Sequence, residues 1–244
     1  MPRTLFISDL HLGPELPRTA AGLFRFLAEE AAGADALYVL GDLFEAWVGD
    51  DNHNEFNDAV VAAFRRLSAS GTRLYFQNGN RDFVLGQAFA AACGGQMLGE
   101  SEVIDIYGQP LLIMHGDQLC TQDAKYMAFR AQCRDPVWQG EMLAKPLDQR
   151  LMMATLWRAQ SKAMNANKPE NIMDVTPDEV VRVLDDAGAS TLLHGHTHRP
   201  AEHAVSLALG QGRRLVLGDW REDSGEAVIA VADSTGIRLQ EWHY

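Results

Sequence analysis

Five short apolar runs in this chain end on side chains that can hold a metal ion, and this repeated ending constrains the fold more than any other feature. Thr4 to Ser8 leads into Asp9-Leu10-His11, Ala36 to Leu40 into Gly41-Asp42, and Arg73 to Asn78 into Gly79-Asn80-Arg81-Asp82. Leu111 to His115 is followed by Gly116-Asp117, and Thr191 to His194 by Gly195-His196-Thr197-His198. Between the runs lie amphipathic stretches at Ala20 to Ala32 and Glu55 to Ser70, each followed by a glycine, Gly33 or Gly71, suited to a helix C-terminus. Thr176, Pro177 and Glu179 read as the N-cap, first-turn proline and capping box of a third helix through Ala187. Strands alternating with helices specify an α/β fold with much parallel pairing. The tail turns to hairpin-like alternation at Arg214 to Leu217, Ala227 to Val231 and Ile237 to Trp242, with Gly236 turning the last pair. In open α/β sheets ligands bind beyond the carboxyl ends of the strands, so the five endings are expected to converge on one patch. A lone Asp or His after a strand is more often a cap or turn residue. Five such endings in one chain, four of them beside a glycine that lets the backbone turn sharply, point instead to a metal site.

Composition bounds the rest. With 244 residues, 47% apolar and 22% charged, the chain can bury a large α/β core and is neither disordered nor fibrous. No apolar run approaches the ~20 residues that cross a bilayer. Only Arg3 precedes the first apolar run, so no signal peptide is read and a cytoplasmic location is expected. Cys93, Cys120 and Cys133 form no Cys-x-x-Cys pair, which argues against a disulfide framework or zinc ribbon. A net charge of −12 disfavours nucleic acid as a partner. Between Thr121 and Val175, however, eight basic residues face six acidic ones, and six of the nine methionines and two of the five tryptophans fall there. That composition marks 121–175 as an insert between two parts of a core, 1–120 and 176–244.

Asp9, His11, Asp42, Asn80, His115, His196 and His198 are seven candidate ligands, more than one ion of four to six coordinates can use, so two ions are implied. A bridging aspartate would hold them ~3.5–4 Å apart, as in two-metal hydrolases. An extended backbone at His196-Thr197-His198 would send one imidazole to each ion. Imidazole and oxygen donors without thiolate favour manganese, iron or zinc over calcium or magnesium.

These residues resemble the calcineurin-like metallophosphoesterases from residue 4 to about residue 220. Ser8-Asp9-Leu10-His11-Leu12-Gly13, Gly41-Asp42-Leu43-Phe44-Glu45-Ala46-Trp47, Gly79-Asn80-Arg81-Asp82 and Gly195-His196-Thr197-His198-Arg199-Pro200 are similar to the UDP-2,3-diacylglucosamine pyrophosphatases of lipid A biosynthesis. The resemblance implies a four-layer α/β/β/α sandwich with a helical insert forming a cap. It also implies a manganese-dependent enzyme, peripheral on the cytoplasmic face of the inner membrane, that splits UDP-2,3-diacylglucosamine into UMP and the acylated sugar 1-phosphate, lipid X. Asp9, His11, Asp42 and His198 would hold one Mn2+, and Asp42, Asn80, His115 and His196 the other. Asn80, Arg81, Asp123, Ser161, Asn165, Lys168 and His196 would touch substrate. The partners implied are the lipid substrate and the membrane surface, with no protein partner inferred.

Many phosphoesterases of this kind have a histidine after the Gly-Asn pair, where it protonates a departing alkoxide. Here Arg81 stands in that place and cannot give up a proton near neutral pH. A pyrophosphate suits it, because the phosphate ester that leaves has a second pKa of about 6 and departs as an anion a guanidinium can clamp. The competing reading of Arg81 is a surface ion pair with Asp82. For the insert, Met127, Met142, Met152, Met153, Met164, Leu143, Leu147, Leu151, Leu156, Trp138 and Trp157 fit either the core of packed helices or an acyl-chain groove. His194 reads as a buried, hydrogen-bonded histidine, Asp50 to His53 as a solvated loop, and Asp117 and Glu45 as residues that orient ligands. The alternatives are a soluble dinucleotide or cyclic-nucleotide phosphoesterase, or a scaffold on this fold that has lost catalysis.

Overall fold

The computed structural model describes residues 2–165 and 174–244. Its strands are β1 (Thr4–Ile7), β2 (Ala36–Leu40), β3 (Arg73–Gln77), β4 (Gln96–Met97), β5 (Ser101–Ile106), β6 (Gln109–Met114), β7 (Thr191–His194), β8 (Ala201–Leu207), β9 (Gly210–Val216), β10 (Glu226–Asp233) and β11 (Gly236–His243). The helices are α1 (Pro17–Glu29), α2 (Glu55–Ala69), α3 (Gln87–Cys93), α4 (Ala124–Cys133), α5 (Pro136–Leu143), α6 (Leu147–Asn165) and α7 (Pro177–Ala187). One sheet runs β11-β10-β1-β2-β3-β4, the other β5-β6-β7-β9-β8. Pairing is parallel from β1 through β4 and along β6-β7-β9, and antiparallel at the β10-β11, β5-β6 and β8-β9 hairpins.

Side-chain alternation explains the near-continuous apolar runs, because the central strands are buried on both faces. In β1, Leu5 and Ile7 pack on the α1–α3 side, while Phe6 points between the sheets with Ile113, Leu193, Leu215 and Ala230. In β6 and β7, Leu112 and Leu192 pack against Val180 and Leu184 of α7. The layers are therefore helix, sheet, sheet, helix, as the sequence resemblance implies. This stacking turns the ends of β1, β2, β3, β6 and β7 to one side.

Several local expectations need correcting. α1 begins at Pro17 and ends at Glu29, ahead of Gly33, because the buried Ala31 donates back to the Phe26 carbonyl at 2.9 Å and turns the chain early. Thr176 precedes α7 but its hydroxyl makes no cap, since it accepts from Thr121 at 2.7 Å instead. Strands β5 and β8 and helix α3 were not expected. Both strands lie at sheet edges with mostly exposed or half-exposed side chains, so they carry little of the apolar signal, and α3 has only seven residues.

Candidate active site

The five strand ends do meet. Asp9, His11, Asp42, His196 and His198 all adopt left-handed backbone, with φ between 50° and 67°. Non-glycine residues seldom accept this geometry, and it clusters where the surrounding structure enforces it. Two glycines allow the loops to touch. A Cβ on Gly79 would lie 2.1 Å from Asp42 Oδ1, and one on Gly195 would lie 2.2 Å from Asp9 Oδ2. The His196-Thr197-His198 backbone is thus kinked rather than extended as expected. The imidazoles nonetheless part company: His198 Nε2 lies 3.4 Å from Asp9 Oδ1, and His196 Nδ1 lies 2.8 Å from Asn80 Oδ1.

Two groups of donors result. Asp9, His11 and His198 have ligand atoms within 4.8 Å of one another, and so do Asp9, Asp42 and His115. Asp42 reaches both, with Oδ2 3.9 Å from His11 Nε2 and Oδ1 3.7 Å from His115 Nε2. Asn80 Oδ1 lies 3.0 Å from His115 Nε2, so Asn80, His115 and His196 adjoin the second group. Burial opposes the charged form of Asp9, but the nearby charge of His198, with His115 and His11 behind it, holds that carboxyl well below its usual range. Burial would lower His198, yet Asp9 raises it to about 9. Burial and the neighbouring His115 push His196 down to about 4.

Beside the cluster, Arg81 Nε lies 3.9 Å from Asp42 Oδ2 and lacks a hydrogen-bond partner although buried. It does not pair with Asp82, whose oxygens take backbone amides instead. Glu45 Oε2 sits 3.3 Å from His11 Nδ1, while its Oε1 accepts from Arg158 Nε of α6 at 2.7 Å. Asp117 accepts from Tyr126 and from Arg130 Nε on α4, and both arginines at the end of α4 also pair with Glu100. His194 is buried and donates from Nδ1 to the Gly195 carbonyl, as expected. Asp50 is not solvated: it accepts from the Trp47 indole and from the amides of Gly86 and Phe89.

A cleft of about 710 Å³ runs outward from this cluster. His11, Asp42, Asn80, Arg81, His196 and His198 line its polar end, and Phe83, Phe129, Trp138, Met142, Met153 and Trp157 its apolar end. Asp123 and Ser161 also line it. The Asn165 side chain and the whole of Lys168 lie outside the described residues. Met142 is buried in the core and reaches the cleft, and Trp138, Met153 and Trp157 are half-buried, packing on that core and walling the cleft.

A profile of the calcineurin-like phosphoesterases matches residues 2–200. The chain belongs to the calcineurin-like phosphoesterase family. The UDP-2,3-diacylglucosamine hydrolase of Cellvibrio japonicus is 47% identical over 98% of both chains. That of Chromohalobacter salexigens is 48% identical over 99% of this chain and 98% of its own. Among solved structures, a novel archaeal phosphodiesterase aligns with 99% of both chains at 13% identity and a TM-score of 0.49.

For a calcineurin-like phosphoesterase the fold implies a dinuclear metal centre, and the donors here fit one. His115 Nδ1 donates to the Leu40 carbonyl at 2.9 Å, so the ring turns Nε2 toward the Asn80 oxygen. Asp9 Oδ1 is buried without a hydrogen bond, and the Nε2 atoms of His11 and His198 face each other at 3.1 Å. Carboxylate oxygens and imidazole nitrogens crowded together under burial are what cations would relieve. Sequence reasoning gave no role to Arg158, Tyr126 or Arg134, because only folding carries the insert's side chains to loops so distant along the chain. It also underrated Asp82, whose place two residues after a ligand was the available signal.

Proposed function

We propose that this chain hydrolyses UDP-2,3-diacylglucosamine at its pyrophosphate, giving UMP and 2,3-diacylglucosamine 1-phosphate in lipid A biosynthesis, with two manganese ions at the centre. The observation that carries this reading is the single cleft that joins a phosphate-suited metal cluster to an aromatic and methionine-lined groove, in a chain nearly half identical to hydrolases of that substrate. Asp9, His11, Asp42 and His198 would hold one ion, and Asp42, Asn80, His115 and His196 the other. Ions held there would polarise a phosphoryl oxygen of the substrate and lower the pKa of a water at the centre. Arg81 clamps the phosphate oxygens and steadies the charge that builds as UMP departs. His196 and Asn80, besides holding an ion, face the substrate phosphate. Asp123, Ser161, Asn165 and Lys168 contact substrate from 121–175, which acts as a cap whose groove takes the acyl chains.

The same insert supports attachment to the membrane surface. Among the described residues seven large apolar side chains are exposed, and Val137, Leu143, Leu151, Met152 and Leu156 of the insert are five of them. Lys162 lies on α6 and Lys145 in the turn between α5 and α6, beside Glu141 and Asp148, so the attachment would rest on the exposed apolar side chains. No helix among the described residues is long and apolar enough to cross a membrane.

The test is turnover of UDP-2,3-diacylglucosamine against UDP-glucosamine without acyl chains and against soluble dinucleotides, with manganese, in detergent micelles. A preference for the acylated substrate of a hundredfold or more in kcat/KM is expected. Equal or better turnover of the soluble dinucleotides would replace this reading with the soluble phosphoesterase.

A further inference from the structure

Asp82 is fully buried, and its carboxylate is surrounded by main-chain amides. Oδ1 accepts from Gly79 N at 2.7 Å and Asp42 N at 3.2 Å, while Oδ2 accepts from Leu43 N at 2.8 Å and Phe44 N at 3.4 Å. Three of these amides belong to the loop after β2 and one to the loop after β3. The tie is reciprocal, because Asp42 Oδ1 accepts from Arg81 N at 2.7 Å, next to Asp82 in the chain. Each aspartate thus holds the other's loop.

The strain in that region says what the tie is for. Asp42 sits at φ 51°, and its loop presses so closely on Gly79 that a side chain there would overlap its carboxylate. A backbone in that conformation persists only where something fixes it. A buried carboxylate is costly unless its lone pairs are all used, and here two oxygens serve four amides. No neutral side chain of this shape does the same, because an amide would turn an NH2 group toward one pair of N–H donors.

We propose that Asp82 is a positioning residue for the metal centre: by fastening the Gly41-Asp42 loop to the Gly79-Asn80 loop it sets the separation of the Asp42 carboxylate from the Asn80 amide. This rests on the two-ion reading above. Asp82 is not among the assigned ligands and acts through Asp42, assigned to both ions, and Asn80, assigned to the second.

The experiment is a manganese titration of metal-stripped protein, with free Mn2+ followed by electron paramagnetic resonance, beside the melting midpoint of the metal-free chain and kcat of the loaded enzyme. Wild type should bind two ions; fewer would count against the two-ion reading and not against Asp82. In Asp82→Asn the ion assigned to Asp42, Asn80, His115 and His196, which loses the set position of two ligands, should bind ten- to a hundredfold more weakly, the other, which shares only Asp42, should weaken less, and kcat should fall with KM little changed. Asp82→Ser, which leaves room for water to serve the amides, should recover part of the lost affinity. Two ions bound at wild-type affinity in a chain that merely melts lower would overturn the proposal. So would failure of both variants to fold without metal, since Asp82 would then be a folding residue.

Discussion

The strand-end loops and the insert are built on opposite principles. The loops place buried carboxylates and imidazoles by main-chain contacts: Asp82 takes four amides, Asp42 takes one, and Asp9 Oδ2 accepts from His196 N at 2.9 Å. The insert has few buried anchors. In its described part only Asp123, Cys133, Met142, Arg150 and Val175 are buried, and Arg150 is held by the Val48 carbonyl and Asp51. Its apolar side chains instead divide between the cleft wall and the outer surface. Candidate ligand atoms, which need placing within tenths of an ångström, stand on stapled loops, and the apolar wall of the cleft on a half-exposed helical surface rich in methionine.

Substitutions in the two regions should differ in kind as well as in size. The largest effect is expected at Asp42, whose carboxylate reaches both donor groups. Asp42→Ala should remove turnover together with bound manganese, measured by metal analysis of the purified protein. Retention of two tightly bound ions and near-normal rates would remove the two-ion assignment. Next is Arg81→His, which should cost a hundredfold or more in kcat on the pyrophosphate, in line with ~3–4 kcal/mol for a group that stabilises transition-state charge. A diester with an alkoxide leaving group, which needs protonation, separates the causes, since equal losses on both substrates would discard the dependence on the leaving group.

Smaller and more selective effects belong to the insert. Each methylene buried in the groove contributes up to ~0.8 kcal/mol, so affinity should climb with acyl length in wild type and climb less steeply in Trp157→Ala. Indifference of wild type to acyl length would return the insert to structural packing. Lys168→Ala should raise KM for the lipid while leaving a short soluble phosphodiester alone. The mildest change is Arg158→Ala. Its ion pair with Glu45 is about 30% exposed on both sides, and such a pair is worth ~1 kcal/mol or less, so a few-fold change in kcat/KM is expected. A loss as large as that of Arg81→His would mean that the insert and the centre work as one unit.

Much of the centre was legible in the sequence because it is local in the chain. Each candidate ligand stands within a few residues of a strand end, and doubly buried strands are written as unbroken apolar runs, so Asp9, His11, Asp42, Asn80, His115, His196 and His198 could be singled out, and the structure brings them together. Edge strands β5 and β8 were not legible, since one solvated face dilutes the apolar pattern. The kinked backbone at His196 and His198 was not legible either: extended and left-handed histidines look the same in a sequence.

What the sequence determined by itself is the inventory: which donors exist, that they follow strands, that no thiolate or proton-donating histidine joins them at position 81, and that 121–175 differs in composition from its surroundings. The tertiary structure decided the pairings. That Asp82 turns from Arg81 to the amides of a loop some forty residues away, that Glu45 meets Arg158, and that Trp138, Met153 and Trp157 wall a cleft while Met142 joins the core all depend on contacts between distant segments. Side-chain chemistry permits many such partners, and only close packing of the layers selects one for each.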